Sequence, residues 1–162
     1  MAEPVSLDLA KSHLRILDDT SEDALITGYI VAAREWVENY TGHALVQREF
    51  VEAHAPERGV ISLYRKPIVE VSVADFADTR IVAGRLFPAS GSSWPALSYP
   101  DRFTVTYTAG YAEGEVPQAL IQAVLLLVGH FWSNREAATD RPVTEVPMAV
   151  ESLCGQFRSP GL

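Results

Sequence analysis

Four histidines, one cysteine and several close carboxylates are the side chains of this sequence that could bind a metal, move a proton or attack a carbonyl. Their spacing speaks against each. His13, His43, His54 and His130 lie far apart, none at H-x-x-x-H spacing, and no cysteine pair joins them, so no zinc site is read. Asp18, Asp19, Glu22 and Asp23 crowd one turn, but the spacing and glycine of a calcium loop are missing. Helix capping and pairing with the helix dipole account for them instead. Glu113 and Glu115 flank Gly114 just before a helix start, where negative charge is favoured. Ser90-Gly-Ser-Ser93 is no nucleophile elbow, and Gly84 and Gly91 fit no phosphate-binding loop. Cys154, beside Leu153, reads as a small packed hydrophobe rather than a nucleophile. The expectation is a chain with no catalytic, cofactor-binding or metal-binding residue, and therefore not an enzyme.

Composition points the same way. At 162 residues, 48% hydrophobic and 21% charged, the chain suits one globular domain with a real core. A net charge of −8 argues against a surface that grips DNA by neutralising phosphates. Such a charge keeps a protein soluble, and it can also line a passage through which a polyanion slides without sticking. The lone cysteine excludes an intrachain disulfide and fits a reducing compartment. No charged segment followed by an apolar one opens the chain, so no secretory signal is read.

Helical patterns stand at both ends and strand patterns between them. Ser6 is a helix cap with Asp8 in the first turn, and Leu7, Ala10, Leu14 and Leu17 form a stripe. Thr20 and Asp23 approximate a capping box for a second helix, whose face repeats through Ile26, Tyr29, Ile30, Ala33, Trp36, Val37 and Tyr40. Gly42 is placed to end it in the left-handed conformation. From Ala44 to Thr108, β-branched and aromatic runs take over: Pro67–Ala74 reads as a strand, and Phe103–Thr108 alternates apolar residues with threonines. The segment from Ala83 to Asp101 reads as loop, with Trp94 to pin it down. Pro117 then suits the first turn of a helix that is apolar on nearly every face up to Trp132. That run is short for a bilayer and fits a buried central helix, with no membrane span. His130 on it is expected to be a hydrogen-bonded core histidine. A polar connection, Thr139 to Val146, precedes a short last helix, Pro147–Gly155, and a tail. The predicted fold class is α+β: a small bundle (residues 6–42 and 116–157) with an inserted antiparallel β region at about 44–110 and a tail at 156–162, all one domain.

Several segments, in order, resemble the head–tail connector proteins of long-tailed double-stranded-DNA bacteriophages, also called adaptor or head-completion proteins. They are Leu7-Asp-Leu-Ala-Lys-Ser-His-Leu-Arg15 with Glu22–Ile26, and Ala32-Ala-Arg-Glu-Trp-Val-Glu-Asn-Tyr-Thr-Gly42. Pro117–Glu136 with its aromatic-aromatic-x-Asn-Arg-Glu ending follows, then Glu145–Leu153 before Phe157-Arg158; Phe103–Tyr111 also fits. His43 stands where an arginine is common in such proteins. A prophage or a gene transfer agent is as good a source as a phage. The resemblance implies a structural virion protein, made in the bacterial host cytoplasm and then built into the head–tail junction. It implies a ring of about twelve copies with heterologous side contacts. Its partners would be the portal protein, the next head-completion or tail protein, and double-stranded DNA passing through without specific binding. Such proteins order their C-terminal region on the portal, so Met148, Val150, Leu153, Phe157 and Arg158 are the portal-interface candidates. Trp36, Tyr40, Phe131, Trp132 and Arg135 are the subunit-interface or core candidates. The alternatives are another phage-related oligomer, such as a tail-completion component, or a small-ligand-binding domain, for which no polar cluster is visible.

Overall fold

Ser6 starts the first helix as its type demands: its side-chain oxygen accepts the Leu9 N–H at 3.2 Å, and α1 runs Leu7–Leu14. The computed structural model describes residues 3–16, 19–74, 76, 78–89, 92–97, 101–134 and 147–158. The expected stripe residue Leu17, the acidic Asp18, the Ser90-Gly91 part of the loop, Arg135 and the Thr139–Val146 connection lie outside them, as do residues 159–162 of the tail.

The described chain divides into two compact units, one of residues 1–46 with 112–162 and one of residues 47–111. In the first, α2 spans Asp23–Thr41. Its start differs from the expected capping box. The cap position is Glu22, which makes no side-chain cap bond, and the helix begins at Asp23, two positions later than a Thr20 cap requires, so Asp23 stands first in the helix rather than third. Asp19 shapes the turn instead, its carboxylate accepting the Ser21 N–H at 2.8 Å and hydroxyl at 2.6 Å. Asp23 takes the Lys11 ammonium at 2.7 Å, tying α2 to α1. Ile26, Ile30, Ala33 and Val37 make the buried face, and Gly42 ends the helix at φ 76°.

Helix α3, Gln118–Ser133, follows Pro117, which sits at the cap in extended conformation rather than in the first turn. It packs on α1 and α2 and on the last helix, α4 (Met148–Gly155). Leu120, Ala123, Val124, Leu127 and Val128 are wholly buried, so the apolar wrapping of this helix is spent on the unit's own core. No described helix is long and apolar enough to cross a membrane. Tyr29, in the first half of α2, meets Phe131, late in α3, at 5.9 Å. Glu38, 2% exposed, is held by Arg34 at 3.1 Å and by the Leu45 N–H at 2.8 Å, while Arg34 also reaches Glu3 at 2.8 Å. The buried carboxylate thus staples the segment after α2 back onto the helix.

The second unit holds six strands: β1 (Arg48–His54), β2 (Ile61–Ser62), β3 (Ile68–Val73), β4 (Thr79–Val82), β5 (Arg85–Pro88) and β6 (Phe103–Ala109). They form two antiparallel sheets, ordered β1-β6-β3 and β2-β5-β4. The alternation of β6 is realised, with Phe103, Val105 and Tyr107 inward and the threonines on the other face. Around them pack Ile61, Leu63, Val73, Leu86 and Ala109. Trp94 does pin its segment: the indole N–H donates to the Gly59 carbonyl at 2.9 Å, and the ring lies against Phe76 and Phe103. The expectation of loop from Ala83 onward is corrected by the β4–β5 hairpin. Ala83 and Gly84 turn it, both at positive φ (50° and 74°), as a two-residue primed turn requires.

Candidate functional site

The helical unit carries two aromatic surfaces, and the site candidates fall on them. The first is built on the last turns of α2. Trp36 and Tyr40, four residues apart, stack at 4.9 Å with ring planes 14° apart. The left-handed turn at Gly42 then sets His43 beyond the helix end. Phe157 meets the His43 ring edge-on at 5.8 Å, and the Arg158 guanidinium lies 5.5 Å over the Tyr40 ring. Four candidates that are far apart in sequence, Trp36, Tyr40, Phe157 and Arg158, therefore share one place. His43 joins them; the visible signal was its position directly after the Tyr-Thr-Gly turn, but nothing in the sequence paired it with Phe157.

The remaining portal-interface candidates divide by exposure. Met148 is 84% exposed and Leu153 half-buried, whereas Val150 is fully buried. Val150 is corrected out of the docking edge: with Cys154, one helical turn on, it faces the unit's own core. Burial in that core pushes the Cys154 thiol up to about 11, which holds it as a neutral thiol.

The second surface lies at the far end of α3. Phe131 packs on Tyr29 at 5.9 Å and beside His130 at 6.0 Å. Trp132 borders an open hollow of about 480 Å3 with His13, Leu14, Leu126, Asn134 and Pro147. His130 lines the hollow too and is not the expected core histidine, since full burial along α3 stops at Val128. Arg135 lies outside the described residues.

The β unit has its own polar knot. Glu52 accepts the Tyr107 hydroxyl at 2.8 Å through one oxygen and contacts His54 Nε2 at 2.8 Å through the other. Tyr107 in turn accepts the Arg65 N–H at 3.2 Å. Burial holds the Tyr107 hydroxyl protonated well above the ordinary phenol range. The knot is internal to the unit and joins strands β1 and β6. Among the described residues, no group of three or more His, Cys, Asp or Glu is placed to hold a metal ion.

Residues 4–80, from α1 to the start of β4, match the family described as phage gp6-like head-tail connector protein. Among solved structures, a chain in the neck of an empty gene transfer agent (GTA) particle computed with C6 symmetry superposes with TM-score 0.79 at 24% identity, covering 100% of this chain and 94% of that one. A chain of the native GTA virion gives 0.76 at 25% identity, covering 98% and 91%. One in the neck of the native particle computed with C12 symmetry gives 0.73 at 23%, covering 100% and 94%. No curated protein matches. The N-terminal segment is thus similar to gp6-like head–tail connector proteins, and the whole chain has the fold of a chain in the GTA neck.

Proposed function

We propose that this protein is the subunit of a ring at the head–tail junction, seated below the portal and extending the DNA channel toward the tail. The observation that supports the reading is the agreement of the whole chain's fold with chains of GTA particle necks computed with C6 and C12 symmetry. A closed ring of about twelve copies needs two different, complementary flanks on each subunit. We assign the aromatic surface at Phe131 and Trp132 to one of these flanks. The portal contact is assigned to the C-terminal edge: Met148, Leu153, Phe157 and Arg158. DNA crosses the lumen without specific binding, consistent with the net charge of −8.

Electron microscopy of the purified protein, alone and mixed with its portal, tests the ring. Ringed assemblies on the portal are expected, and a monomer that never associates with it would sink the proposal. Deleting residues 156–162 tests the portal assignment. The shortened chain should stay folded and lose attachment to portal-bearing heads in a pull-down; normal attachment would show that the docking element lies elsewhere.

A further inference from the structure

The segment assigned to the portal is already occupied in the isolated subunit. Val150 and Cys154 pin α4 into the core, so only the residues beyond it can move without unfolding the helix. Gly155 ends α4 with open space around its Cα. After it, the Phe157 N–H donates to the Cys154 carbonyl at 2.9 Å and the Arg158 N–H to that of Gly155 at 3.2 Å. These bonds set two adjacent side chains against two neighbouring rings: Phe157 on His43 and Arg158 over Tyr40. Tyr40 offers the electron-rich face that a guanidinium seeks, and Trp36 stacks on the same ring.

We propose that Trp36, Tyr40 and His43 form a receptor for an aromatic–cationic Phe–Arg segment, filled in the free subunit by the chain's own Phe157 and Arg158. The tail is thereby clasped, and it must leave the platform before it can dock; the second step rests on the portal assignment above. One exposed cation–π contact and one aromatic pair favour the clasped form by about ten- to fiftyfold, enough to seat the tail and little enough to release it. The apparent affinity of a tail that docks only when released falls by the same factor.

Hydrogen exchange on the full chain tests the clasp. In Tyr40→Leu, which removes the ring but keeps apolar volume, the Phe157 and Arg158 amides should exchange about tenfold faster. The amides of the first turn of α4 should be unchanged, which shows that the fold is intact. Arg158→Gln should free the Phe157 amide similarly, and Tyr40→Phe, which keeps the ring face, should behave like the parent. Unchanged tail exchange in both Tyr40→Leu and Arg158→Gln would overturn the clasp. In attachment to portal-bearing heads, Tyr40→Leu should bind about tenfold more tightly, and equal or weaker binding by a chain with a freed tail would overturn the competition. The two readings fail separately: a tail-deleted chain that still attaches removes the portal assignment, whereas the exchange measurement addresses the clasp alone.

Discussion

The helical unit and the β unit hold together by different means. In the helical unit, α3 buries six side chains among its neighbours, and the one fully buried carboxylate among the described residues, Glu38, is paired. Its described exposed large apolar residues are Leu9, Leu25 and Met148, on three different helices. The β unit has a thinner core, one face of its larger sheet being polar. There Thr104, Thr106 and Thr108 run between β1 and β3, with Glu49 and Glu70 both opposite Thr108. Val51, opposite Thr106, is 62% exposed on that face. A unit with a continuous apolar interior tolerates surface change and suffers from cavities. A unit with a half-polar sheet depends more on single hydrogen-bonded knots such as Tyr107–Glu52–His54.

The largest effects should separate the two along that line. Leu127→Ala, at a wholly buried position in α3, should cost about 3 kcal/mol and lower the denaturant midpoint of the helical circular-dichroism signal. A loss below about 1 kcal/mol would mean that the core collapses around the cavity and that the contrast is overdrawn. Glu38→Ala comes next. It leaves the Arg34 guanidinium, only 12% exposed, and the Leu45 N–H without this partner, for a loss of about 3 kcal/mol. Glu38→Gln should recover part of it, since an amide oxygen can still accept the Leu45 N–H.

Tyr107→Phe probes the β unit at about 1–2 kcal/mol, because it strips the half-buried Glu52 carboxylate of one donor. The pH dependence has a definite sign. The folded hydroxyl titrates above its unfolded value, so its contribution is complete below about pH 10 and falls as the pH rises beyond it. Tyr107→Phe should therefore lose stability less steeply than the parent above about pH 10, and parallel alkaline slopes would show that the knot is not what titrates. Cys154 gives the helical unit a similar but earlier loss, between its ordinary range near 9.0 and about 11.

The same contrast decides what could be read from the sequence. The helical ends were legible because each signal is local: the Ser6 cap, the Ile26–Ile30–Ala33–Val37 stripe and Gly42 need no distant partner. The strict alternation of β6 and the anchoring role of Trp94 were legible for the same reason. The β4–β5 hairpin was not, because its turn is Ala83–Gly84 and lacks the Asn or Asp that usually announces two positive φ values. At the site, residue types were readable but partnerships were not. Phe157 with His43, and Arg158 with Tyr40, are contacts across more than a hundred positions. Val150 and Met148 stand two residues apart on one short helix, and only packing shows that the first is core and the second surface.

Met148→Ser carries the smallest expected effect on stability and sharpens the comparison most cleanly. The side chain opens α4 and is 84% exposed, so replacing it removes almost no buried area and should shift stability by less than about 0.5 kcal/mol. An exposed methionine is a flexible, polarisable contact, well suited to a partner whose surface is not rigidly complementary. If the C-terminal edge meets the portal, Met148→Ser should weaken attachment to portal-bearing heads several-fold while the unfolding midpoint stays in place. Val150→Ala should do the reverse, costing about 1–2 kcal/mol of stability through its cavity and altering attachment only as far as folding is lost. Two residues two positions apart in the same turn would then report separately on docking and on the core. Equal attachment by Met148→Ser and the parent would remove Met148 from the contact and leave Leu153, Phe157 and Arg158 to carry it.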